Sequence, residues 1–236
     1  MDISRAKEIL DYWFSKGLYT ADFDKWFMKS EDYDEEITEK FGDLLTEAEH
    51  GKGFGWLVNK DSYVAHIILM DQFSRHIYRG KGDSYKNDNG CLIFVELGWD
   101  MYKEKLKGYE FMFAFMPFMH TENEKYQQKG ANNFEYHKML YKKQGTATHS
   151  RWGNRHRLLT NENHPSYSAR MGCIPEKTNN DKEWDMLKSM EPHVTGHQQT
   201  IIQFGRFPKR NEALGRESTP GEIAYMERPE VQKRPY

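Results

Sequence analysis

The stretch YVAHIILMDQFSRHIYRG (63–80) decides the fold. Its first eight residues, Tyr63 to Met70, are apolar nearly all round, the pattern of a helix covered on most sides rather than of one lying on a surface. The helix is expected to open after Asp61 or Ser62, to run to Arg79 and to stop at Gly80. A segment of this kind needs other elements packed around it, so it is read as central.

The flanking sequence supplies helices to do the packing. Between Ser4 and Lys16, Ala6, Ile9, Leu10, Trp13 and Phe14 recur at one-face helical spacing, and Gly17 can end the run. Ser30 can cap a second long helix whose first turns carry Glu31, Asp32, Asp34, Glu35 and Glu36, acids that suit a positive helix N-terminus. Its inward face reads Tyr33, Ile37, Phe41, Leu44, Leu45 and Ala48, and Gly51 closes it. The glycine-rich GKGFGW (51–56) lacks the Lys-Ser/Thr ending of a phosphate-binding loop and is read as a connector. CLIFVELGW (91–99) is ambiguous between strand and helix; a helix capped near Asp88 is preferred, because no second strand is available to pair with it.

Further on, Pro117 is expected to terminate or kink the apolar run 109–116, and Thr121 with Glu124 has the spacing of a capping box for a helix reaching about Lys143. Residues 145–183 lose periodicity and read as an irregular basic insertion. Helical pattern returns at Trp184, restarts after Pro192 and stops at Gly205. Thr219-Pro220-Gly221-Glu222 is a second capping-box signature, and 228–236 is a tail. The expectation is one all-α domain over 1–236, built from antiparallel helix pairs in a bundle or short solenoid.

Composition narrows the function classes. With 34 basic and 36 acidic residues the formal charge is −2, so no whole-molecule field favours nucleic acid or an anionic membrane. FMFAFMPFM (111–119) is too short to span a bilayer, which leaves no membrane partner. Cys91 and Cys173 are too few for a disulfide framework, and the N-terminus MDISRAKEIL has no secretory apolar core. A cytoplasmic location is expected, and nothing in the sequence calls for a cofactor.

Four segments together carry a family resemblance: LDYWF (10–14), ILMDQFSRHIYRG (68–80), FMPFMHTEN (115–123) and HQQTIIQFGRFPKRNEALGRESTPGEIAYM (197–226). The chain resembles the mostly bacterial family called domain of unknown function nine-two-four over about residues 5–143 and 184–227. The last segment is the most specific. The resemblance implies a tetratricopeptide-like all-helical fold and no particular activity. Ser74, His76 and Lys209 stand where the family pattern has Pro, Asn and His.

The candidate site gathers around 71–80 and 197–211. Asp71, Arg75 and Arg79 follow one another at i, i+4 and i+8 and so form one stripe, which is either internally paired or completed by a small anion. His120, beside a helix start, can donate or accept a proton near neutral pH or simply bond a backbone carbonyl. His193 and His197 are a turn apart, without the third ligand that a metal would need, so no metal is assigned. Arg206, Lys209 and Arg210 place positive charge at a helix C-terminus, with Asn211 and Arg216 as further donors. Arg75, Arg79, His120, His197, Arg206 and Arg210 would form an anion pocket if the segments meet.

Lys142, Lys143, Arg151, Arg155 and Arg157 around Trp152 could contact an unpaired base or, more simply, be a solvated loop. A protein partner is the other use of 145–183. Three functions follow, in this order: a helical binding module with an anion pocket, a small hydrolase or transferase using His120 or His197 as acid/base, and a structural subunit of an assembly.

Overall fold

A computed structural model of the chain describes residues 1–156 and 178–232, with side chains for all of these except 142–156. The architecture is all-α. In chain order the helices are α1 (Ser4–Trp13), α2 (Phe23–Phe27), α3 (Glu31–Glu49), α4 (Lys60–Ile67), α5 (Ser74–Ile77), α6 (Asp88–Tyr102), α7 (Tyr109–His120), α8 (Glu124–His156), α9 (Asn179–Phe204), α10 (Pro220–Met226) and α11 (Pro229–Gln232). A π-helical segment, Ile68–Phe73, joins α4 to α5 in one run of helix. Every residue from Ser62 to Ser74 is buried, as an apolar-all-round segment requires.

Packing around this central run is antiparallel. Tyr63 reaches the Val95 carbonyl and Cys91 lies against Ile67, which sets α4 against α6 in opposite directions. Phe111 stacks on His137 and Phe115 meets Phe134, so α8 retraces α7. Lys138 pairs with Glu191 and Gln198 with Gln128, so α9 retraces α8. Gly130 lets α7 and α8 come close: a Cβ there would lie 2.7 Å from Phe118 Cβ. Phe113 is the aromatic hub on the other side, with its ring against Trp13, Phe14, Trp26 and Phe27. Among the described residues no helix is long and apolar enough to cross a membrane.

Local chemistry explains most boundaries. Ser30 accepts from the Tyr33 amide, Thr219 and Glu222 form the full capping box, and Gly51 and Gly205 take positive φ at their stops. Several expectations need correction, the first being the helix expected to run to Arg79, which ends at Ile77. Asn123, not Thr121, caps α8: its side chain accepts from the Lys125 amide, while Thr121 accepts from Asn123. The helix before it passes through Pro117 to His120, because neighbours bury it on every side and the last turn stays packed. Likewise α9 is continuous through Pro192, and it opens at Asn179 under a Thr178–Asp181 capping box rather than at Trp184. Finally α8 extends to His156, so 145–156 is helical rather than irregular. Residues 157–177 lie outside the described residues, as do the side chains of 142–156, and with them the nucleic-acid and protein-partner expectations for 142–157 and 145–183.

Candidate functional site

The π-helical segment carries the first component. A π turn holds an extra residue and often marks a functional position. Here it contains Asp71, whose side chain is 0% exposed and therefore must be paired. Its Oδ1 lies 2.7 Å from His120 Nδ1 and 3.2 Å from Arg75 Nη1, and Gln72 donates to Oδ2. Burial works against ionisation of Asp71, but Arg75 and His120 outweigh it and hold the carboxyl below its ordinary value.

Because an ionised carboxylate only accepts, His120 Nδ1 carries the hydrogen of that bond. Burial lowers the His120 pKa, Asp71 opposes it and Arg75 adds to it; the net direction is down, so the ring is neutral at neutral pH. The same logic applies to His197, whose Nδ1 is 2.8 Å from the His193 carbonyl one turn earlier. Burial, His120 and Arg210 all lower its pKa. The two rings are 6.1 Å apart, centre to centre.

Arg210 arrives from the far end of the chain. Gly205 ends α9 in the left-handed conformation, and Pro208–Arg210 then form a single 3₁₀ turn. Glu122 fixes this turn by accepting from the Phe207 amide and from both terminal nitrogens of Arg216. Arg210 donates to Asp88 Oδ2 at 2.8 Å and to the His120 carbonyl at 2.9 Å, while Arg75 donates to Asp88 Oδ1 at 2.9 Å. One carboxylate thus serves two guanidinium groups. Burial and the proximity of Arg75 lower the Arg210 pKa in spite of Asp88, the mark of a cation only partly compensated. Its guanidinium also lies 4.4 Å from the Tyr85 ring centre.

These groups line a cavity of about 500 Å³. Its polar lining includes Arg75, Tyr85, His120, His197, Lys209 and Arg210, with His193, Thr200 and Gln232, and its apolar lining includes Pro192, Phe207, Met226 and Val231. The sequence-predicted residues therefore divide. Asp71, Arg75, His120, His197 and Arg210 come together. Arg79, Arg206 and Asn211 do not. Arg79 lies beyond the end of α5 and turns to Asp34, which it meets with two hydrogen bonds and which also holds His76 Nδ1 at 2.7 Å. Arg206 makes a two-pronged pair with Glu222. Asn211 is 1% exposed and bonds Ser218 and Arg216, so it organises the loop.

Asp88 and Tyr85 were missed. Asp88 reads in sequence as a helix cap, whereas its carboxylate is taken by Arg75 and Arg210; the only local signal is an acid at the start of a helix. Among the described residues, no three His, Cys, Asp or Glu side chains are grouped so as to hold a metal ion.

No curated protein matches the sequence. A solved structure of a protein of unknown function from Agrobacterium tumefaciens is similar in fold, with a TM-score of 0.66 at 24% identity over 95% of this chain and 97% of that one. The profile of a bacterial protein of unknown function (DUF924) matches residues 9–230, and this chain therefore belongs to that family.

Proposed function

We propose that the protein is a binding module whose cavity takes a small anionic ligand against Arg75 and Arg210. The observation that carries this reading is the sharing of Asp88: two part-buried guanidinium groups divide one carboxylate at the wall of a cavity large enough for a metabolite. Burial is the main cause that lowers the basicity of His197 and Arg210, and Arg210 beside His197 and Arg75 beside Arg210 add to it, a repulsion that an anion would relieve.

A thermal-shift panel of phosphates, carboxylates and nucleotides tests the proposal. Stabilisation by an anion should be lost in Arg210→Gln and kept in Arg79→Gln, because Arg79 is already satisfied by Asp34. Equal responses in the two variants would sink it.

A second reading has its own observation. Asp71 orients His120 at the cavity wall as a carboxylate orients a general base. In the enzyme reading His120 exchanges the proton, Asp71 fixes its tautomer, and Arg75 or Arg210 stabilises developing charge. Turnover that survives His120→Gln would exclude it.

A further inference from the structure

Resting on the anion-binding reading above, we infer that α10 and α11 form a gate on the cavity, pivoting on the Arg206–Glu222 pair to admit and release the ligand and latched shut by Val231. The inference follows from comparing how each wall of the cavity is held.

The helix pair is part of the wall. Tyr225 and Met226 at the end of α10, and Val231 and Gln232 at the end of α11, line the same cavity as Arg75 and Arg210. α10 packs on the 3₁₀ turn that carries Arg210.

Attachment of the pair weakens along its length. At its base Glu222 is buried and takes two hydrogen bonds from Arg206, which also donates to the Glu217 carbonyl. One turn on, Tyr225 Oη lies 2.9 Å from Thr200 Oγ1, and its ring centre is 5.0 Å from that of Phe204. Thr200 has already given its one hydrogen to the Gly196 carbonyl, so the phenol donates. Beyond Tyr225 the bonds turn inward: the Glu227 amide goes to Ile223, that of Arg228 to Tyr225, and those of Val231 and Gln232 to Arg228. Among the described residues, no hydrogen bond or ion pair from 226–232 reaches another element.

Helices of seven and four residues are too short to persist by themselves, so burial must hold the far end in place. Val231, 2% exposed, is the one buried residue of α11. Opening the gate therefore uncovers one valine and breaks one tyrosine hydrogen bond. The other walls yield less easily. α9 is tied to α8 through Glu191 and Gln198, and the Arg210 turn is held by Asp88 and by Glu122. Moving either would strand charged groups, whereas elements that open for ligands come from the least stable parts of a fold.

The test is amide hydrogen exchange of the full chain, with and without bromide, in wild type, Val231→Ala and Glu230→Gln. Exchange across 225–232 should be faster than in the middle of α9, and bromide should slow it. Val231→Ala removes two buried carbons and should speed exchange across 225–232 by about tenfold, leaving α9 unchanged. Glu230 is exposed, so Glu230→Gln should match wild type. Exchange across 225–232 as slow as that of α9, or indifferent to Val231→Ala, overturns the gate. Bromide that raises the melting temperature in an Arg210-dependent way without protecting 225–232 overturns the gate and keeps the anion site. Bromide with no effect on melting or exchange overturns both.

Discussion

The central helix supports two clusters of the same chemical make-up and different standing. On one side Asp34 holds Arg79 and His76; on the other Asp71 and Asp88 hold Arg75, Arg210 and His120. In the first, one acid meets one guanidinium with both oxygens. In the second, one acid, Asp88, is divided between two guanidinium groups and a cavity opens beside them. Aspartate, arginine and histidine on neighbouring turns therefore do not define a site. What distinguishes a site is incomplete compensation next to space.

Acid sets the range within which the two clusters can be compared, and it has the largest effect. Burial pushes His66 down to about 3 and His137 to about 4, while the unfolded chain takes up those protons near pH 6.5. A depressed histidine contributes stability that is whole above the unfolded pKa and is lost as pH falls. Urea denaturation should therefore show stability declining steadily from about pH 6.5 toward 4, by on the order of several kcal/mol. A flat profile would contradict the burial of both rings.

Next come the two acids. Asp71→Ala strands Arg75 with half of its compensation and should cost about 3–5 kcal/mol. Asp34→Ala leaves Arg79, 31% exposed, able to reach water and should cost about 1.5–3 kcal/mol. Urea midpoints decide between them, and a larger loss in Asp34→Ala would invert the comparison. Away from both clusters, Gly130→Ala should lose roughly 1–3 kcal/mol, because the new methyl has to move the Phe118 backbone-proximal carbon. Thr219→Ala should lose about 1 kcal/mol with its capping box, and it should also loosen the Arg206–Glu222 pair that the cap orients. Amide exchange across 219–226 reads that smallest effect.

Much of the fold was legible because it is written locally. The all-apolar run before Asp71, the acid-rich opening of α3, the stops at Gly51 and Gly205 and the Thr219 box are each decided within a few residues. The misplaced boundaries have a common cause. Pro117 and Pro192 break a helix only when nothing else holds it, and packing from neighbours is invisible in a local pattern. The site divides in the same way. The Asp71–Arg75 pair follows from helical spacing, whereas Arg210 to Asp88 joins residues 122 positions apart. Spacing alone put Arg79 on the same stripe; the end of the helix at Ile77 removed it and gave it to Asp34.

The most direct test is a crystal of the protein soaked in bromide, with anomalous diffraction locating the ion. The account predicts a peak in the cavity within hydrogen-bonding distance of Arg75 or Arg210, and none at Arg79. Bromide bound at Arg79, with the cavity empty at the same concentration, would contradict it.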